Sequence, residues 1–133
     1  MGMNQKEVKH IILPYSQNEL LRKLMELIYE NEEFAVLMLI EANEKYGGIK
    51  KLGRYASRST LYRLIFQEVV KTNGDRRFHL TEKGREVLEK NEYREFKRRF
   101  KELASMILSA QIPLPRSMSY PRYMIVLAGK GKL

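Results

Sequence analysis

Apolar side chains recur at helical spacing after residue 16 and predict an amphipathic first helix. The stripe consists of Leu20, Leu21, Leu24, Leu27 and Ile28. Residues three and four positions apart share one face of a helix, so this stripe needs a cover of other apolar side chains. Ser16, followed three residues later by Glu19, has the pattern of a capping box and predicts where the helix begins.

A second helix is predicted over residues 32–46, with Asn31 as its N-cap. Its residues 34–40 are all apolar, which is typical of a helix that is buried on every side. Gly47 and Gly48 follow, and glycine commonly ends a helix because it adopts left-handed backbone angles without strain. We therefore expect this helix at the centre of the core.

The segment after the two glycines has the spacing of a helix-turn-helix. Ile49 and Leu52 predict a short first helix with an inward face, and residues 55–57 predict a tight turn. Ser57 or Ser59 is suited to cap the second helix. The inner face of that helix would consist of Leu61, Leu64 and Ile65.

The outer face of the second helix follows from the helical period. At about 100° per residue, a helix with Leu61 at the centre of its buried side turns Ser59 and Arg63 directly outward. The positions that flank them are Tyr62, Phe66 and Gln67. The alternative is a helical hairpin whose basic face is only solvated, and Phe66 could face a nucleic acid, the core or a protein partner.

These outward side chains have the chemistry of nucleic-acid contacts. Arg63 can bond guanine in the major groove, and Arg58, near the helix start, is suited to a backbone phosphate. Ser59, Thr60 and Gln67 can bond base edges or phosphates.

Apolar runs on both sides of Asn73-Gly74 predict two short strands around a tight turn. Three basic residues lie close to this turn: Lys71, Arg76 and Arg77. Such a hairpin could contact the phosphate backbone or the minor groove beside a helix in the major groove. Thr81 then predicts the cap of a further helix.

Two segments carry a resemblance to a known family. Residues 57–65 resemble the start of a recognition helix, and residues 77–88 resemble a second wing strand that runs into the following helix. The chain from 31 to 90 thus resembles the winged helix-turn-helix transcription regulators of archaea and bacteria, broadly of the PadR and MarR kind. The resemblance implies sequence-selective binding of double-stranded DNA by a homodimer, usually as a repressor, with residues 57–67 in the major groove.

The expected fold is mainly α with a small β-hairpin, a winged helix-turn-helix with helices added at both ends. We expect an N-terminal extension (1–30), the DNA-binding domain (31–90), a dimerisation helix (91–112) and a proline-containing tail (113–133). The predicted DNA-contacting residues are Lys50, Lys51, Arg54, Arg58, Ser59, Thr60, Tyr62, Arg63, Gln67, Lys71, Asn73, Arg76 and Arg77.

A heptad-like seam in the C-terminal part predicts the dimer contact. Its members are Tyr93, Phe96, Phe100, Leu103 and Ile107, followed by Ala110. The alternative is that this helix folds back onto the leucine stripe of its own chain. Pro113, Pro115 and Pro121 then exclude a continuous helix, and the apolar run 123–127 predicts a short strand or a segment that packs on the partner subunit.

Charge is distributed unevenly along the 133 residues. Residues 1–48 have five Lys and Arg against eight Glu, whereas residues 49–101 have sixteen Lys and Arg against seven acidic residues. The excess of basic residues behind the net charge of +9 therefore begins at the predicted helix-turn-helix. A polyanionic partner is the natural inference.

Composition excludes several classes of function. The chain has no cysteine and only two histidines, so disulfides, thiolate catalysis and the usual zinc sites are not expected. No paired carboxylates, activated nucleophile or phosphate loop suggests an enzyme, and no cofactor or metal is expected. No apolar run reaches the roughly 18 residues of a membrane span, and no signal core begins the chain, so we expect a cytoplasmic, nucleoid-associated protein.

Two other functions use the same features. An architectural or partition protein would coat DNA with little sequence preference, using the same basic hairpin and paired helices. A winged-helix interaction module would instead use Phe66 and the tail as a protein interface. A small-molecule effector is left unassigned.

Overall fold

The computed structural model of the chain describes residues 17–50, 52, 56–114 and 119–133. These residues are mainly helical and contain one two-stranded antiparallel hairpin, as the sequence predicts. The elements are α1 (Gln17–Glu30), α2 (Glu32–Asn43), a 3₁₀ turn (Glu44–Tyr46), α3 (Arg58–Phe66), β1 (Val70–Thr72), β2 (Phe78–Leu80), α4 (Glu82–Leu88), α5 (Asn91–Ser109) and α6 (Ser119–Gly129).

Helix α2 lies at the centre of the core, as its continuous apolar run predicts. Residues 35–40 are all buried, so no face of this helix meets solvent along that stretch. Gly47 ends the following 3₁₀ turn with a left-handed φ of 86°. Asn31 occupies the predicted N-cap position of α2, but its side chain makes no cap bond and instead donates to the Leu27 carbonyl of α1 at 2.9 Å. The predicted cap of α1, Ser16, lies outside the described residues.

Helix α5 packs along α1 and covers the leucine stripe of that helix. Its buried residues are Tyr93, Phe96, Phe100, Leu103, Ala104 and Ile107. The five residues predicted as a dimer seam are therefore part of the core of their own chain and are not open to a second copy. This is a correction with a simple cause: the apolar spacing requires a cover, and α1 supplies it within the chain.

The C-terminal residues form helix α6 rather than the predicted short strand. Met124, Ile125 and Leu127 are buried, and α6 packs on α5 of the same chain. Pro121 fits because it lies in the first turn of α6, where backbone N–H groups have no intrahelical acceptor. The Tyr123 hydroxyl donates to Asn43 Oδ1 at 3.1 Å and so ties α6 to the end of α2. Pro115 lies outside the described residues.

The hairpin pairs Val70 with Leu80 and Thr72 with Phe78. Its turn differs from the expected two-residue Asn-Gly turn, because residues 73–77 separate the strands. The residue with a left-handed φ is Arg76, at 62°, and not Gly74.

The predicted first helix of the helix-turn-helix does not begin at Ile49. Ile49 forms a single antiparallel bridge with Phe78 of β2, so it extends the small sheet instead. Further along, the Ala56 N–H donates to the Leu52 carbonyl at 3.0 Å, and the predicted helix between these two residues lies outside the described residues. Leu52 is fully buried, as predicted.

All four predicted segments share one hydrophobic core. Buried residues of α1, α2, α3, the hairpin, α5 and α6 belong to the same cluster. The helices at both ends thus complete the core around α2 and are integral to the fold. No helix within the described ranges combines the length and the apolar character needed to cross a membrane.

Candidate nucleic-acid interface

Helix α3 begins at a cap that also anchors it to α2. Ser57 Oγ accepts a hydrogen bond from the Thr60 N–H at 3.2 Å, which confirms Ser57 as the N-cap. Glu32 Oε1, at the start of α2, accepts the Ser57 N–H at 3.1 Å and lies 3.0 Å from Ser57 Oγ. The Ser57 N–H above all, together with the Thr60 and Ser57 hydroxyls and the Arg63 charge, lowers the pKa of Glu32. The start of α3 is therefore held in place by a carboxylate of α2.

The buried side of α3 is rotated from the predicted one. Leu61 and Leu64 are buried as expected, but Ile65 is 39% exposed and Thr60 is only 2% exposed. Thr60 was predicted to bond bases or phosphates, and this prediction is wrong because its hydroxyl lies inside, 2.9 Å from Ser57 Oγ. The centre of the buried side lies about 50° from Leu61, toward Leu64.

The rotation brings an aromatic pair to the centre of the outward face. Phe66 lies about 140° from Leu61 around the helix, close to the middle of the exposed side. Phe66 is 89% exposed, and Tyr62, one turn earlier, is 67% exposed. We call Ser59, Tyr62 and Phe66 the outward face of α3. The sequence placed Phe66 beside the outward positions and left its contact open, and the predicted DNA-contacting residues did not include it. The rotation arises because Thr60, rather than Ile65, is buried together with Leu61 and Leu64.

Arg63 lies at one edge of the outward face and is paired. Its Nη1 lies 2.8 Å from Glu33 Oε1 of α2, and its side chain remains half exposed. Glu30, Glu32 and Glu33 line one shallow groove together with Arg63, and we call these three glutamates the acidic edge. Arg63 thus points outward as predicted, but its charge is partly neutralised by Glu33.

The end of α3 leads directly into the hairpin. Glu68 takes a left-handed φ of 61°, the Glu68 N–H donates to the Ile65 carbonyl, and the Val69 N–H donates to the Leu64 carbonyl. This is the Schellman geometry in which glycine usually occupies the left-handed position. Ile65 and Lys71 of β1 then line a common groove, so the hairpin lies on the side of α3 opposite the acidic edge.

The basic residues of the hairpin have different environments. Lys71 and Arg76 are exposed, as a phosphate contact requires. Arg77 is partly buried, and its Nη1 donates to the Gly48 carbonyl at 3.0 Å. This bond connects the residue just before β2 to the segment that follows the 3₁₀ turn. Arg77 therefore has a structural contact that the sequence did not predict.

Acidic neighbours surround His79 at the base of the hairpin. His79 Nε2 lies 3.2 Å from Asp75 Oδ2, and Nδ1 lies 3.6 Å from Glu44 Oε1. The Arg77 N–H, followed by the His79 ring, lowers the pKa of Asp75. Among the described residues, no group of three or more histidine or carboxylate side chains could hold a metal ion.

The other predicted contacts fall into two groups. The first group is exposed around α3 and the hairpin: Lys50, Arg58, Ser59, Gln67 and Asn73. The second group, Lys51 and Arg54, lies outside the described residues. Arg58 is on the same side of α3 as Ile65, so it lies toward the hairpin and away from the acidic edge.

Comparison of the chain with protein-family models, with curated protein sequences and with solved structures gave no match in any of the three. The function must therefore be inferred from the geometry of the site.

Proposed function

We propose that the chain binds double-stranded DNA with sequence selectivity, as a homodimeric transcription regulator of the winged helix-turn-helix kind. Helix α3 is the proposed recognition helix in the major groove, and the hairpin is the proposed wing on the phosphate backbone or in the minor groove. In such proteins base contacts supply the specificity, while phosphate contacts fix the position on the duplex.

The observation that carries the proposal is the combination of the outward face of α3 with the adjoining basic hairpin. Helix α3 has two arginines and no acidic residue. Lys71 and Arg76 are exposed on the hairpin that follows it. A cationic helix of this kind has a favourable interaction with the high negative charge density of a duplex.

The order of the elements supports the same proposal. Three described features follow one another along the chain: the bridge at Ile49, the exposed helix α3 and the hairpin. Ile49 pairs with β2, so β2 lies between Ile49 and β1 in the sheet. In a winged helix, a short strand likewise precedes the recognition helix and a two-stranded wing follows it.

The acidic edge indicates how a duplex would approach. Phosphates would be repelled by Glu30, Glu32 and Glu33. On the other side of α3 the groove has both signs of charge, since Lys71 and Lys83 line it with Glu68, Glu82 and Glu86, and the exposed cations Arg58, Lys71 and Arg76 would attract phosphates there. The proposed duplex therefore lies across the outward face and toward the hairpin.

The proposed homodimer requires a surface other than the predicted seam. Leu108 of α5 is 42% exposed and Val126 of α6 is 49% exposed, so these helices offer apolar side chains outside the core. A two-fold pair of this kind would bind half-sites about one helical turn, roughly 34 Å, apart.

Selection of bound duplexes from a random pool at two salt concentrations tests the proposal. Sequence-selective binding predicts one enriched motif, repeated when a dimer binds, and a specificity ratio well above tenfold at the higher salt. Strong salt dependence without a motif would instead support an architectural protein. No binding to any duplex at low salt would overturn the proposal.

Two matched lysine variants test the assigned surface. Lys71→Ala should weaken binding to all sequences alike and reduce the slope of log affinity against log salt by about one. Lys23→Ala is the control, because Lys23 lies in a groove whose described residues belong only to α1 and α5 and which is separate from Leu108 and Val126. Equal effects of the two variants would contradict the assignment of the hairpin.

A further inference from the structure

The centre of the outward face of α3 is aromatic rather than charged. Phe66 is the most exposed of the large apolar side chains in the described residues, and Tyr62 lies one helical turn before it. An exposed phenylalanine gains no free energy from burial, so its presence at the centre of a proposed binding face indicates a contact in the complex.

The charges around this aromatic pair favour a polyanion over a second copy of the chain. Arg58 and Arg63 lie on opposite sides of the outward face, and α3 contains no acidic residue. Because Arg63 is paired with Glu33, the charge that would oppose a two-fold contact through this face is mainly that of Arg58, which would meet the like charge of a second Arg58. A nucleic-acid duplex has the opposite charge and accommodates both arginines.

The hydrogen-bonding capacity at the centre of the face is small. Phe66 has no donor or acceptor, and Tyr62 has a single hydroxyl group. Arg63, the side chain best suited to guanine, is engaged by Glu33 at 2.8 Å. In the major groove, the apolar group that distinguishes one base from the others is the C5 methyl group of thymine.

We propose that α3 recognises thymine through its C5 methyl group, with Phe66 and Tyr62 as the contacting side chains. This inference rests on the proposed function and adds the chemical class of base to it. The two rings are four residues apart, which is about 6 Å along the helix axis. They would therefore contact one or two neighbouring thymine positions in the bound duplex.

Deoxyuridine substitution provides a direct test with the unmodified protein. In a duplex enriched by the selection, each thymidine is replaced in turn by deoxyuridine, which removes the methyl group and leaves all hydrogen-bonding groups in place. We expect about fourfold weaker binding at one or two neighbouring positions, which corresponds to the loss of one buried methyl group. Other thymines should show no change.

Variants identify the side chains responsible. At one sensitive position, the Phe66→Ala protein should bind the thymidine duplex and the deoxyuridine duplex with equal affinity. The Phe66→Leu protein should retain part of the affinity difference between them. Tyr29→Ala is the control, since Tyr29 is similarly exposed, at 71%, but lies on α1 by the acidic edge. It should leave the discrimination unchanged.

The outcomes separate this inference from the function on which it rests. Selective binding without any effect of deoxyuridine would overturn the thymine inference and leave the proposed function standing. Absence of duplex binding would overturn both. If Phe66→Ala dissociates a self-associated protein in sedimentation experiments, the aromatic pair is an interface between copies and the inference is wrong.

Discussion

Replacing Gly84 by alanine tests the close approach between α4 and the hairpin. A Cβ atom at this position would lie 2.1 Å from the Val69 carbonyl oxygen and 3.3 Å from Leu80 Cδ2. The Val69 oxygen is fixed because it accepts the Thr81 N–H at 3.2 Å. The oxygen would have to move by about 1 Å to restore an ordinary contact distance.

Two effects of this substitution oppose each other. Alanine is a better helix former than glycine by about 1 kcal/mol, which would stabilise α4. Overpacking against backbone destabilises by about 1 to 3 kcal/mol, and loss of the Val69–Thr81 hydrogen bond adds about 1 kcal/mol. We therefore expect Gly84→Ala to lower the free energy of unfolding by about 2 kcal/mol.

Urea denaturation followed by circular dichroism measures this change. Gly74→Ala is the matched control, because no atom lies within 4 Å of its added Cβ and its φ is not left-handed. The control should change the free energy of unfolding by less than about 0.5 kcal/mol. A Gly84→Ala protein as stable as the wild type, with the same dependence on urea, would refute the proposed contact.

Four further predictions follow from individual contacts. Arg77→Ala should lower the free energy of unfolding by about 1 kcal/mol, because its hydrogen bond to the Gly48 carbonyl is lost. The control Lys71→Ala should change the free energy of unfolding by less than about 0.5 kcal/mol. Equal urea midpoints of the two variants would contradict this assignment. Glu33→Gln should release Arg63 from its ion pair, which should tighten duplex binding and make the affinity fall more steeply with salt. It should change the free energy of unfolding by at most about 1 kcal/mol, because the pair is exposed. An unchanged affinity in a binding titration would argue against this role of Glu33. Glu68→Gly should raise the free energy of unfolding by roughly 1 kcal/mol, and with it the urea midpoint, because glycine adopts the left-handed angles without strain. A lower midpoint would show instead that the Glu68 side chain stabilises the turn. Folding lowers the pKa of Glu32, so its ionised carboxylate contributes to the free energy of unfolding above the ordinary pKa of 4.5, and this contribution is lost as the pH falls through the folded value. Stability should therefore decline below about pH 4.5, and Glu32→Gln should make that decline shallower. Parallel pH profiles of the two proteins would contradict this assignment.

Features that depend on local sequence were predictable. The run 34–40 has no polar face, so α2 had to be central in any arrangement. Thr81 was predicted as a cap, and Ser57 as one of two candidates with Ser59, because a side-chain oxygen must accept a free N–H near the start of the helix. The hairpin position was also predicted, since apolar runs flank Asn73-Gly74.

Features that depend on distant partners were not predictable. The spacing of the apolar residues in α5 requires that they be buried, but it does not determine whether α1 of the same chain or another subunit buries them. The orientation of α3 depended on Thr60, which is buried because its hydroxyl has Ser57 as a partner. Gly47 has the left-handed angles that its position predicts, but after α3 and in the hairpin turn these angles fall on Glu68 and Arg76, where no glycine marks them in the sequence.

The burial of the α5 stripe within its own chain has a consequence for assembly. In the proposed homodimer, a subunit whose core is complete does not need a second copy in order to fold, so the chain should still unfold cooperatively when it is diluted far enough for the pair to dissociate. Folding and pairing are then separate equilibria, and subunits can exchange partners without unfolding. Newly synthesised chains would reach their native state before they encounter one another.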